Sequence, residues 1–112
     1  MKYYYALYMD EYAKKRQADI IKKIKNDKRQ MNIYLITLTK NEKNHMEIFH
    51  SVLLMQKAVA KEDLFVVGMA NGYFEALELV EKIAQEVYDE TGGADIRNYI
   101  LQKQLKYEEE RV

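Results

Sequence analysis

Leu64 to Gly68 is a short apolar run without polar alternation, the pattern of a strand covered on both faces. Asn71-Gly72 follows, a dipeptide suited to positive φ and a sharp turn. The period then changes. Tyr73, Ala76, Leu77, Val80, Ile83, Ala84, Val87 and Tyr88 recur at helical spacing, with acidic and amide residues between them. Phe74 and Leu79 are the large residues out of phase. Gly92-Gly93 marks the helix stop. A regular stripe of this length is the expected anchor of the core, since fully burying one large apolar side chain is worth roughly 1.5–3 kcal/mol.

Asn32 to Thr39 predicts a second strand, with Ile33 and Leu35 on one face and Tyr34, Ile36 and Leu38 on the other. The polar stretch from Lys40 to Asn44 has hairpin length. Met46 to His50 alternates well enough for a short strand, although Glu47 and Phe49 then share a face. The chain from Val52 to about Ala60 suits a helical connection, and such a connection permits parallel pairing with the Leu64–Gly68 strand.

Tyr5, Tyr8, Met9, Tyr12, Ala13, Ile20, Ile21 and Ile24 trace an apolar side from Tyr3 to Arg29, which predicts one long N-terminal helix. After Gly93, Ile96, Tyr99, Ile100 and Leu101 predict a shorter helix. Glu108-Glu109-Glu110 would put negative charge at its negative end, so residues from about 104 to 112 are expected to fray. The expected fold is α+β: one domain over 1–112, with a small sheet of about three strands, mixed if the helical connection is used. A long N-terminal helix and two C-terminal helices pack against it.

Composition narrows the chemistry. The 112 residues contain no cysteine, so thiol catalysis, disulfides and Cys-ligated zinc are excluded. The opening residues MKYYYALYMDEY are too tyrosine-rich, and end in too acidic a pair, for a secretion signal. A cytoplasmic protein is expected, and the abundance of Lys, Tyr, Ile, Asn and Met fits an AT-rich, bacterial coding sequence. Eighteen basic and eighteen acidic residues give zero formal charge. That balance hides an asymmetry. Met9–Arg29 carries eight basic against four acidic residues, and Gly72–Gly93 one lysine against six acidic residues. The two helices could attract one another within a monomer or across a dimer.

Four candidate sites follow. The turn at Gly68, Asn71, Gly72 and Tyr73 joins a strand to a helix N-terminus, where free amides can hold a small anion. It lacks the lysine and hydroxyl of a phosphate loop, and Glu75 would repel an anion. Tyr4, Tyr5, Tyr8 and Tyr12 are an interface candidate, because three consecutive helical tyrosines cannot all be buried in a monomer. Lys14, Lys15, Arg16, Lys22 and Lys23, beside aromatic residues, are a nucleic-acid candidate. His45 and His50, with Glu42 and Glu47 nearby, point apart on either a strand or a helix, so no metal is expected. Ser51 is the single serine and has no glycine-flanked elbow. The expectation is a non-catalytic protein with no cofactor, acting through protein contacts and self-associating as a homodimer. Nucleic-acid binding through the first helix and anion binding at the turn are the alternatives.

Overall fold

The computed structural model describes residues 1–41 and 43–111; Glu42, in the polar loop, and Val112 lie outside the described residues. Along the chain run β1 (Lys2–Met9), α1 (Glu11–Lys15), α2 (Gln17–Lys25), β2 (Ile33–Leu38), β3 (Met46–His50), β4 (Phe65–Asn71), α3 (Tyr73–Thr91) and α4 (Ile96–Glu110). Two short 3-10 turns, Ser51–Met55 and Lys61–Asp63, lie between β3 and β4. The strands form one mixed sheet in the order β1-β4-β2-β3. It is a small α+β fold with helices on both sides of the sheet.

The expected N-terminal helix is replaced by a strand and two short helices. Tyrosine favours the pleated, half-buried surface of a strand, and Lys2–Met9 supplies an edge strand parallel to β4. Asp10 separates this strand from α1. Its Oδ1 accepts from the Ala13 N–H at 2.9 Å, which caps the helix. Its Oδ2 accepts from the Asn71 N–H at 3.0 Å and so ties the end of β1 to the end of β4. The sheet therefore has four strands rather than three. It is mixed, but the parallel pair is β1 with β4; β3 pairs antiparallel with β2.

β4 is the central element. It pairs with β1 on one edge and β2 on the other. Val66 and Met69 face the side covered by α1 and α2, together with Ala13, Ile20, Ile24, Ile33 and Leu35. Val67 and Ala70 face α3 and α4, with Tyr4, Ile36, Ala76, Leu79, Ile83, Val87 and Ile100. The switch of faces between Val67 and Met69 requires a bulge, and the register shows it: Ile36 lies opposite Gly68, but Thr37 lies opposite Val66.

β1 bows more strongly. Tyr3 pairs with Val66 and Tyr8 with Gly68, so β1 advances five positions while β4 advances two. The Tyr5 N–H, released from β4, donates to Gln104 Oε1 at 2.8 Å. That bond explains why Gln104, a polar residue, is buried on α4. Gln104 Nε2 donates to Glu108 at 3.2 Å, and Lys2 Nζ meets the same carboxylate at 2.6 Å. The helix thus continues to Glu110, well past the point where its charge pattern suggested fraying.

Gly68 makes the bow possible. A Cβ there would lie 3.0 Å from the Tyr8 carbonyl oxygen and 3.0 Å from Ile36 Cδ1. Gly72 adopts φ 126°, a region that other residues rarely enter, and its N–H donates to the Asn32 carbonyl at 2.8 Å before α3 begins. Gly68→Ala is expected to destabilise the fold by about 1–3 kcal/mol, the usual cost of an overpacked methyl group. Urea unfolding of the variant and the wild type checks this, and coincident midpoints would contradict it.

Candidate interaction surface

The tyrosines divide between core and surface. Tyr4 is 3% exposed and stacks near Tyr8, with ring centroids 6.2 Å apart. The Tyr8 hydroxyl donates to Glu86 Oε2 at 2.6 Å, which joins β1 to α3. Tyr5 is partly exposed and stacks on Tyr107 of α4, centroids 4.4 Å apart and planes 7° apart. Tyr12 lies under the Arg16 guanidinium at 4.1 Å. The bow of β1 turns Tyr4 and Tyr8 inward, leaving Tyr5 and Tyr12 as the members of the set with open ring surface. Burial pushes the Tyr4 and Tyr8 phenols well above the ordinary tyrosine value, and for Tyr8 the Glu86 hydrogen bond adds to it.

Both histidines accept from backbone N–H groups at the start of a helical segment, His50 locally and His45 from across the fold. His50 Nδ1 accepts from the Val52 N–H at 3.0 Å, so Nε2 carries the proton and donates to the Met31 carbonyl at 2.8 Å. His45 Nδ1 accepts from the Arg97 N–H at 3.2 Å, with Asp95 3.8 Å away. His50 therefore has no free lone pair for the adjacent Ser51. The Ser51 hydroxyl is buried without a partner among the described residues. No group of three or more His, Asp or Glu side chains converges among the described residues.

The turn from Gly68 to Tyr73 is crowded by the chain's own carboxylates. Glu75 folds back over the first turn of α3, so that its Oε2 occupies the space a Cβ on Gly72 would need. Asp10 already accepts from Asn71. Tyr73 stands edge-on to Tyr34, centroids 5.6 Å apart.

Of the basic residues singled out from sequence, Lys14, Lys15 and Lys22 come together. They rim an open groove of about 720 Å³, with Lys25 as a fourth lysine and Ala18 and Ile21 as apolar lining. Arg16 stands on Tyr12, and Lys23 turns to Asp19 at 3.1 Å. Lys25 was legible in the sequence as the next residue one turn beyond Ile21 and Lys22.

The opposite side of the molecule carries a surface that helical periodicity misassigned. The core stripe of α3 is Ala76, Leu79, Ile83 and Val87, so Leu79 lies in phase with the core. Phe74 is 67% exposed and Tyr88 61%, with Leu77 also exposed. At 3.6 residues per turn, Phe74, Glu78, Glu81, Gln85 and Tyr88 align along the outer face of α3. The available signal was Phe74 itself, a large apolar residue outside the core period.

The basic and acidic helices lie on opposite sides of the sheet. Attraction between them within one molecule, allowed by the sequence, is excluded by this placement.

The half-buried Tyr8 yields a pH test. An unfolded tyrosine loses its proton near pH 10, whereas folded Tyr8 keeps its proton beyond that. The stability it contributes is therefore fully present below about pH 10 and falls as pH rises further. Tyr8→Phe is expected to lose about 1–2 kcal/mol at neutral pH and to show a shallower decline above about pH 10. Urea midpoints across that range check it; parallel declines would contradict it. No family model, curated protein or solved structure matches the chain.

Proposed function

We propose that this is a non-catalytic protein that works through protein–protein contacts, self-association included, with the outer face of α3 as its contact surface. Phe74, Leu77 and Tyr88 carry this conclusion: they stand exposed on a helix whose other face already fills the core. Aromatic side chains are enriched at interfaces, and the exposed Glu78 and Glu81 lie between the two rings on the same face, where they would need a cationic partner. Tyr5 and Tyr12 have open ring surface elsewhere and are not required for this contact.

Catalysis finds less support. The Ser51 hydroxyl has no hydrogen-bond partner among the described residues, His50 Nδ1 being taken by the Val52 N–H, and the raised Tyr8 phenol is a poor acid that is already bonded to Glu86. At the Gly68–Tyr73 turn, Glu75 and Asp10 stand where an anionic ligand would have to sit. A cytoplasmic setting belongs to the same proposal, supported by a core that needs no disulfide. No helix among the described residues is long and apolar enough to cross a membrane.

The alternative reading, single-stranded nucleic-acid binding on the α1–α2 side, draws on the lysine groove and the Arg16–Tyr12 pair. Its mark would be an affinity that falls steeply with salt.

The main proposal is tested by replacing both exposed rings, Phe74→Ser with Tyr88→Ser. Sedimentation equilibrium is expected to show wild-type protein heavier than its 13.4 kDa chain at high concentration, and the double variant at the chain mass. Thermal melting should be nearly unchanged, because neither ring is in the core. Undiminished association of the variant would remove α3 as the contact surface.

A further inference from the structure

Resting on α3 as the contact surface, we infer that its occupant is a second copy of this chain, docked head to tail: the acidic, aromatic face of α3 seats in the lysine groove of the next copy's α1–α2 side.

Charge complementarity is the main ground. The Met9–Arg29 segment has a surplus of four positive charges, and the Gly72–Gly93 segment a surplus of five negative ones. Neither surplus is neutralised by the other within a molecule, because the sheet lies between them. Even the shortest dimension of the molecule, 29 Å, spans several Debye lengths of about 8 Å at physiological salt. The two surpluses can meet only between copies.

Shape and polarity agree with charge. The groove is lined by Ala18 and Ile21 and rimmed by lysines, so it suits an aromatic ring flanked by carboxylates. Phe74, with Glu78 and Glu81 on the next two turns of the same outer face, presents that arrangement, and Tyr88 extends the face towards the end of α3. A polyanion would satisfy the lysines but would leave the outer rings of α3 uncovered. A second copy covers both surfaces with one contact.

Symmetry follows from placement. The two surfaces are different and lie on opposite sides of the sheet, so the contact is heterologous and does not close on itself as a two-fold dimer. Each copy has one donor face and one acceptor face, and mass should continue to rise beyond the dimer as concentration increases. Association should weaken by roughly tenfold or more towards about 1 M salt, where the Debye length shrinks to about 3 Å.

The test uses two variants of the full chain, each altered only at exposed positions. One carries Lys22→Glu with Lys25→Glu, which blocks the groove; the other carries Phe74→Ser with Tyr88→Ser, which blocks α3. Their circular dichroism and melting serve as the folding control. Light scattering is expected to find each variant monomeric alone and a 1:1 complex on mixing, since the mixture retains one intact groove and one intact α3 face. A wild-type mass that stops at a dimer, lost with the α3 variant but kept with the groove variant, would overturn the head-to-tail mode while leaving α3 as the contact surface. A wild type that stays monomeric at every concentration and at low salt would overturn self-association altogether. So would such a monomer binding a single-stranded oligonucleotide through Lys22 and Lys25, which would assign the groove to nucleic acid.

Discussion

The Tyr8 carbonyl of β1 comes so close to Gly68 of β4 that a single added carbon would sit 3.0 Å from it. Much of the molecule depends on that approach. It lets β1 return to β4 after its bow, and the bow places Tyr4 in the core under α3. It also frees the Tyr5 N–H, which finds its acceptor in Gln104 and so fixes the second half of α4. At the same point β4 bulges and exchanges its faces, so Val66 and Met69 serve one core and Val67 and Ala70 the other. A strand paired on both edges and buried on both faces is what keeps the two helical layers apart.

That separation gives the surface its character. With α1 and α2 on one side and α3 and α4 on the other, zero net charge becomes a basic side facing away from an acidic one. Exposed ion pairs are worth only about 0–1 kcal/mol each, so the charge asymmetry orients a contact more than it holds one. Phe74, Leu77 and Tyr88 supply the apolar area that a contact needs. They interrupt an otherwise acidic helix face, and the core makes no use of them.

The elements most legible in the sequence were those with a single strong period. Ile33 to Leu38 is apolar on both faces, and those faces reach the two cores as the pattern indicates. Met46–His50 forms a strand with the expected bounds, and Gly92 closes α3 with φ 73°. The departures have physical causes. Tyrosines at Tyr5, Tyr8 and Tyr12 mimic a helical stripe, yet Asp10 interrupts it as an N-cap, and its pairing with Glu11 was the sequence mark of a helix start. Gln104 is polar, and its burial depends on the N–H of Tyr5 at the far end of the chain, which no local window contains. The buried phase of α3 departs from the apolar pattern because Tyr73, Leu77 and Tyr88 are apolar without being buried. The lysine groove was partly legible as charge, but its position opposite α3 depends on tertiary structure alone.

The meeting of the two faces can be read directly by zero-length carboxyl–amine cross-linking of an equal mixture of isotopically light and heavy protein, followed by peptide mass spectrometry. Head-to-tail docking predicts bonds joining Lys14, Lys15, Lys22 or Lys25 to Glu78 or Glu81, with light–heavy pairs as frequent as random mixing of copies allows. Cross-links confined to single molecules, or joining α3 to α3 across copies, would contradict it.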